Sequence, residues 1–139
     1  MIRGLGLDVV DLSKFREQLA DPASSFVERT FTATERREAA LRPGGDPAPH
    51  LAGRYAAKEA FLKAWSGPRF GQRPYIKQAA LQDIEVVSDT WGRPSLRLHG
   101  AVSAAYEQDG GGELWLSLSH DGNVVAAVVV VGEQVSPAR

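Results

Sequence analysis

The chain contains no cysteine among its 139 residues. This absence excludes a disulfide, a thiolate metal site and a cysteine nucleophile, and it suits a reducing compartment. The sequence also lacks an uncharged apolar run of about 18 residues, the length that predicts a membrane span. The opening segment MIRGLGLDVV has neither the long apolar stretch nor the cleavage site of a signal peptide. We therefore expect a cytoplasmic enzyme or binding domain that does not enter a membrane.

The chain also has no large excess of positive or of negative charge. Sixteen lysines and arginines stand against 17 aspartates and glutamates, which gives a formal net charge of -1. Bulk charge therefore argues against nucleic-acid binding. The length fits one domain with a sizeable core, so we predict a single domain over residues 1–139.

Hydrophobic periodicity and turn residues predict about five strands and four or five helices. The predicted strands span residues 2–10, 83–88, 95–98, 113–119 and 124–131. The predicted helices span residues 12–19, 21–30, 32–41, 51–65 and 100–108. We expect the first strand to be buried, and the last strand, nearly all valine and alanine, to be buried on both faces. The last three strands connect as hairpins or through a short helix, so the predicted fold class is α+β, with a mostly antiparallel sheet packed against helices.

The segment LAGRYAAKEAFLKAW, residues 51–65, predicts one helix of about four turns. One of its faces is apolar and mostly small, and it consists of Ala57, Ala60, Phe61 and Ala64. Small residues on that face would let another backbone come close. Elsewhere on the helix Glu59 and Lys63 share one row, and Arg54 and Lys58 form a neighbouring row. A carboxylate flanked by three cations can hold a metal ion and a phosphate side by side.

Asp8 and Glu59 are candidate metal ligands. Asp8 interrupts an apolar run, and a buried carboxylate needs a cation, several N–H donors or a metal. Two carboxylates with water and substrate phosphate oxygens form a usual Mg²⁺ site. Simpler roles are open to both residues. Asp8 could cap the next helix, although Asp11 is better placed, and Glu59 could form a surface ion pair with Lys63.

His120 is a candidate functional residue because it follows the strand ELWLSLS, at the predicted tip of a hairpin. Functional groups concentrate in loops that rigid elements support. A neutral imidazole there could act as a base, and a protonated one could hold a phosphate. A purely structural histidine is the alternative.

Five segments, in order, resemble motifs of the holo-acyl-carrier-protein synthases, the small 4'-phosphopantetheinyl transferases of fatty-acid synthesis. GLGLDVVDL resembles the glycine-aliphatic-aspartate start of that family, and FVERTFTATE resembles its Phe-x-x-Arg, Thr-x-x-Glu segment. LAGRYAAKEAFLKAW is similar to the most specific motif of the family. DIEVVSDTWGRPSL and LSLSHDGNVVAAVVV resemble its closing hairpin and its Ser-His strand pair. The similarity extends over residues 2 to about 131.

The resemblance implies the 4'-phosphopantetheinyl transferase fold and a Mg²⁺-dependent reaction. That reaction moves 4'-phosphopantetheine from coenzyme A to a serine of apo acyl carrier protein and releases 3',5'-ADP. By position, Asp8 and Glu59 are the implied Mg²⁺ ligands, and the implied catalytic residues are Glu59, Lys63 and His120. Either Glu59 or a water polarised by Mg²⁺ would remove the serine proton. The implied coenzyme A contacts are Arg54, Lys63, Gly92, Arg93, Pro94 and His120.

The resemblance also implies partners. The acyl carrier protein would dock on basic residues of the first helices, here Lys14, Arg16 and Arg29. A homotrimer is implied, with the active site between neighbouring subunits. The alternatives are a non-catalytic module that holds coenzyme A or a carrier protein, and another Mg²⁺-dependent enzyme of nucleotide diphosphates. The intact acidic pair and Lys63 favour the transferase, because a binding module needs no second metal carboxylate.

Overall fold

The centre of the fold is a long helix that lies across a three-stranded antiparallel sheet. The structure is a computed structural model that describes residues 1–134, so residues 135–139 of the predicted domain lie outside the described part. The strands are β1 Ile2–Asp11, β2 Ile84–Ser88, β3 Pro94–Leu98, β4 Leu114–Asp121 and β5 Val124–Gly132. The helices are α1 Leu12–Ala20, α2 Phe26–Thr30, α3 Ala33–Ala40, α4 Ala48–Ser66 and α5 Gly100–Gln108.

The predicted α+β class and antiparallel pairing are confirmed, but the expectation of one sheet is wrong. The larger sheet has the order β1-β5-β4, and β2 pairs only with β3 in a second sheet of two strands. Strands β3 and β4 touch each other. Helix α5 carries the chain between them, and within residues 1–134 they share no ladder of backbone hydrogen bonds.

Strand β1 contacts α4 through its glycines. Gly4 and Gly6 are buried, and a Cβ on either would collide with the carbonyl oxygen of Ala64 or Ala60, respectively. This close approach confirms the prediction that the small face of α4 accepts another backbone. The expectation of a buried β1 holds for Val10 but is wrong for alternate residues, because side chains alternate along a strand and the glycines share the covered face with Val10. Leu5, Leu7 and Val9 lie on the uncovered face and are exposed.

Strand β5 is also covered on one face only. Val125, Ala127, Val129 and Val131 are buried, whereas Val124 and Val128 are exposed. The prediction of burial on both faces is wrong, because α4 covers just one side of the sheet. The register places Leu7 beside Val128 and Val128 beside Ser117 on the other side. We call this uncovered surface the open sheet face, and its apolar members are Leu5, Leu7, Val9, Trp115, Ala126, Val128 and Val130.

Side-chain caps begin two of the helices, α1 and α3. Asp11 caps α1 by accepting the backbone N–H of Lys14 at 3.1 Å, and Thr32 with Glu35 forms the predicted capping box of α3. Helix α4 begins three residues earlier than predicted, since a proline near its first position is compatible with a first turn. Helix α2 does not begin at Asp21. The Asp21 carboxylate accepts the N–H of Ala23 in a local turn, which delays the helix to Phe26.

None of the helices within residues 1–134 combines the length and the hydropathy that a membrane crossing requires.

Replacing Gly6 with alanine should lower the free energy of unfolding by about 2–3 kcal/mol, because the new Cβ would force β1 away from α4. Gly53 is the matched control. A Cβ at that position would lie 3.8 Å from Leu118 and Val125, an ordinary contact, and alanine favours a helix by about 1 kcal/mol over glycine. Urea unfolding of both variants measures the difference. A Gly6→Ala protein as stable as the Gly53→Ala protein would contradict this packing.

Candidate functional site

Asp8, Glu59 and Lys63 line one groove of about 520 Å³ between β1, α1 and α4. We call it the acidic groove. Along β1, Asp8 lies two residues after Gly6 and therefore on the face that meets α4. On α4, Glu59 and Lys63 are one turn apart, and each directly precedes an alanine of the small face. The glycine–alanine contact thus brings the three side chains together.

Lys63 pairs with Asp8 and not with Glu59. Its Nζ lies 3.0 Å from Asp8 Oδ1 and donates a second hydrogen bond, also 3.0 Å, to the carbonyl oxygen of Leu7. The proposed surface ion pair between Glu59 and Lys63 is therefore wrong within the described part of the chain. The alternative in which Asp8 caps α1 is also wrong, because Asp11 holds that position.

Glu59 is a half-buried carboxylate with another carboxylate nearby. Burial, and after it the negative charge of Asp8, raises the pKa of Glu59, while Tyr55 and Lys63 act in the opposite direction. The ionised pair therefore carries negative charge that Lys63 compensates only in part. This is the electrostatic environment that attracts a cation.

The donor set fits Mg²⁺. Both residues supply carboxylate oxygens, which this hard cation prefers, and the groove is open enough for water and a substrate. Within residues 1–134 no group of three or more His, Asp and Glu side chains forms a complete protein site. Asp8 and Glu59 would therefore leave most coordination positions to water and substrate oxygens, as Mg²⁺ sites at phosphates usually do.

Arg54 and His120 lie together in a different cavity of about 350 Å³. We call it the anion cavity, and it is formed where the start of α4 meets β4 and β5. His120 is not at the hairpin tip as predicted. Strand β4 extends through Asp121, so the exposed imidazole is held in the sheet opposite Val125.

Arg54 is nearly buried, yet its guanidinium is incompletely paired. Its Nη2 donates to Ser88 Oγ at 3.3 Å, and its Nε has no hydrogen-bond partner in the described structure. Burial, and then the positive charge of Arg42, lowers the pKa of Arg54. A buried cation in this position would be stabilised by an anion in the cavity.

Two residues of this cavity were not predicted from the sequence. Arg42 and His50 lie at the two ends of the loop RPGGDPAPH, which the sequence identifies only as a loop. In the structure the loop returns on itself, and Arg42 Nε donates to His50 Nδ1 at 2.9 Å. The concentration of proline and glycine between these two basic residues indicates a loop, but it does not predict their contact.

The turn Gly92-Arg93-Pro94 does not join either site within one chain. Arg93 Nε pairs with Asp89 Oδ2 at 2.6 Å, and its guanidinium lies over the Trp91 ring. The described residues that line the acidic groove and the anion cavity do not include this turn.

The basic residues of the first helices differ in their surroundings. Lys14 lines the acidic groove. Arg16 pairs with Asp46 at 2.9 Å, and Arg29 Nε donates to Ser25 Oγ at 2.8 Å. Of the three predicted docking residues, Lys14 is the one that the structure places at the groove.

Lys58 does not face a substrate, and its predicted place among three phosphate-binding cations is wrong. Its side chain is completely buried, and Nζ lies 2.8 Å from Glu35 Oε1. The same ammonium donates to the carbonyl oxygens of Leu81 and Ile84. Lys58 therefore joins α4 to α3 and to the start of β2.

Comparison with known proteins places the chain among relatives of one kind. Residues 4–129 match the 4'-phosphopantetheinyl transferase superfamily. A holo-[acyl-carrier-protein] synthase of Mycobacterium bovis is 48% identical over 130 residues, which cover 94% of this chain and 96% of that protein.

Two solved structures are also similar. An ACPS-CoA complex from Chronobacterium ammoniagenes has a TM-score of 0.86 and 43% identity, covering 95% of this chain and 98% of that one. A holo-(acyl-carrier-protein) synthase from Bacillus anthracis, in complex with CoA (3',5'-ADP), has a TM-score of 0.71 and 32% identity, covering 96% and 98%. This chain belongs to the 4'-phosphopantetheinyl transferase superfamily.

Proposed function

We propose that this chain is a holo-acyl-carrier-protein synthase, which transfers 4'-phosphopantetheine from coenzyme A to a serine of an apo acyl carrier protein. The observation that carries the proposal is the convergence of Asp8, Glu59 and Lys63 in the acidic groove, within a chain 48% identical to a protein of that name. Residues 1–139 would act as a single catalytic domain, and the absence of cysteine supports a cytoplasmic location.

In the proposed reaction the serine oxygen forms a bond to the phosphorus that carries pantetheine. The bond from that phosphorus to the bridging oxygen breaks, and 3',5'-ADP leaves. Mg²⁺ bound by Asp8 and Glu59 would supply positive charge to the diphosphate oxygens. Lys63 holds Asp8 in place and adds its own charge at the same groove, where it stabilises the transition state.

The serine proton needs an acceptor, and Glu59 is suited to that role. Burial and the nearby charge of Asp8 raise its pKa, which makes it a stronger base than an exposed glutamate. A water in the groove is the other candidate acceptor, and both depend on the same carboxylate.

The nucleotide would occupy the anion cavity, where Arg54 and His120 can pair with a phosphate. This cavity and the acidic groove are separate within one chain. The separation supports an active site shared between neighbouring subunits, with the turn Gly92-Arg93-Pro94 added from one of them.

The open sheet face supports self-association, because contiguous apolar residues at a surface mark interaction sites. We propose that copies of this chain meet there as a homotrimer. Sedimentation equilibrium of the native protein at micromolar concentration should give three times the mass of one 15.0 kDa chain. A monomer at that concentration would contradict the assembly.

The acyl carrier protein would dock beside the acidic groove, with Lys14, Arg16 and Arg29 as its basic contacts. Lys14→Glu should raise the KM for carrier protein about tenfold through lost charge complementarity, with no change in the KM for coenzyme A. Arg37→Glu, on the exposed face of α3, is the control and should leave both values unchanged. Equal effects of Lys14→Glu on both substrates would count against docking at Lys14.

The proposed activity is tested by the intact mass of an apo acyl carrier protein after incubation with this protein, coenzyme A and Mg²⁺. We expect a gain of one phosphopantetheine, and we expect EDTA to prevent it. If the protein binds coenzyme A but modifies none of several carriers, it is instead a non-catalytic binding module. A gain that survives EDTA would exclude the metal role of Asp8 and Glu59.

A further inference from the structure

His50 is a buried histidine that the proposed reaction does not use. It lies in the first turn of α4, is 8% exposed and lines the anion cavity. Its Nδ1 accepts a hydrogen bond of 2.9 Å from Arg42 Nε. Because an arginine can only donate, Nδ1 carries no proton and the hydrogen of a neutral ring lies on Nε2.

The surroundings of His50 keep the ring neutral. Burial, followed by the positive charges of Arg54 and Arg42, lowers the pKa of His50 to about 4. His50 is therefore an acceptor for Arg42 throughout the neutral range. Its Nε2–H is buried and has no hydrogen-bond partner in the described part of the chain.

The anion cavity brings two guanidinium groups together without an available carboxylate. Arg42, Arg54 and His120 line it, and the one carboxylate of its lining, Asp46, is already paired with Arg16 at 2.9 Å. Arg42 is exposed and Arg54 is buried, so the two guanidinium groups differ in how they are held. Arg54 is fixed by packing, whereas the bond to His50 is the side-chain hydrogen bond that orients Arg42.

We propose that His50 is a positioning residue that fixes Arg42 in the anion cavity, so that Arg42 and Arg54 together bind a phosphomonoester. The inference rests on the proposed function, because it takes the ligand to be the nucleotide of coenzyme A. A phosphomonoester dianion matches two guanidinium groups, and the ribose phosphate is the only such group in coenzyme A. The competing role for His50 is simple packing at the start of α4.

The test is a double-mutant cycle that measures the affinity for 3',5'-ADP by calorimetry. His50→Leu and Arg42→Gln should each weaken binding by roughly tenfold, the loss expected for one charge-assisted contact. The double variant should bind no more weakly than Arg42→Gln alone, because His50 acts through Arg42. His50→Asn keeps an acceptor near the position of Nδ1 and should bind within about twofold of the wild type.

Kinetics separate positioning from packing. His50→Leu should raise the KM for coenzyme A by the same factor by which it weakens 3',5'-ADP binding, while kcat stays unchanged. A contact made equally in the ground and transition states alters only KM. Losses that multiply in the double variant would overturn the proposal.

An Arg42→Gln protein that binds 3',5'-ADP as tightly as the wild type would also overturn the proposal. This second result stands even if His50→Leu fails to fold, because Arg42 is exposed. A wild-type protein that binds 3',5'-ADP but transfers nothing would overturn the proposed function alone, and the cycle would still decide the role of His50.

Discussion

Glu59→Gln should reduce phosphopantetheine transfer by about a thousandfold, comparable to the largest losses for removal of one electrostatic group from an active site. The substitution keeps the size of the side chain but removes the negative charge that would bind the metal and accept the serine proton. Asp8 cannot compensate for the loss, because it supplies only one of the two metal carboxylates and also pairs with Lys63 at 3.0 Å. Intact mass of the carrier protein over time gives the rate.

The fold should survive this substitution. A carboxylate whose pKa is raised in the folded state is a destabilising group at any pH above that pKa. Glutamine removes the penalty, so without Mg²⁺ the melting temperature of Glu59→Gln at pH 7 should equal or exceed that of the wild type. Glu107→Gln, an exposed position on α5, is the control for a neutralised glutamate. Near-normal turnover by a folded Glu59→Gln protein would contradict the proposed roles of Glu59 and the proposed transferase activity at this groove.

The raised pKa of Glu59 also fixes the direction in which transfer activity depends on pH. Glu59 must be ionised to bind a metal or accept a proton, and its pKa lies above the usual glutamate value. Protons therefore compete with the metal for Glu59 at a higher pH than they would for an exposed glutamate. Transfer activity should fall as the pH decreases through that raised pKa.

The sequence predicted α4 and its small face because both depend on local pattern. Alanines at helical spacing predict a face that admits a backbone, and the glycines of β1 predict that another backbone comes close to that strand; the structure shows that the two approach each other. The row that contains Glu59 and Lys63 follows from the same periodicity. Local pattern was sufficient there because each feature lies within one helix or one strand.

Burial was harder to predict because it depends on which element covers a surface. Strand β5 is apolar on both faces and β1 carries large aliphatic residues, and the sequence does not show that α4 covers only one face of their sheet. Lys58 was misassigned for a related reason. Its spacing from Arg54 places both on one row, but its partners Glu35 and Ile84 are distant in the chain.

The contact between Arg42 and His50 could not be predicted either. The two residues are eight positions apart, and the conformation of the proline- and glycine-rich loop between them brings them together. Loops return on themselves according to backbone conformation, and side-chain periodicity carries no information about it. Arg42 and His50 were missed because a loop conformation brings them together, whereas Asp8, Glu59 and Lys63 lie on regular elements.

Lys58→Met should lower the free energy of unfolding by about 3–5 kcal/mol, because removing one partner of a buried ion pair leaves the other charge buried and unpaired. Glu35 would lose its cation, and two backbone carbonyl groups would lose a donor. Methionine has a similar length, so the loss reports the missing charge more than a cavity. Chemical denaturation with urea measures it.

Lys63→Met is the matched control, five residues further along the same helix. Its ammonium is half exposed, and an exposed ion pair contributes at most about 1 kcal/mol, so this variant should remain stable. It should nevertheless lose most of its transfer activity, since Lys63 faces the acidic groove. Adding Glu35→Gln to Lys58→Met should recover part of the lost stability by removing the unpaired charge. If Lys58→Met were as stable as Lys63→Met, the buried pair could not be what joins α3 to α4.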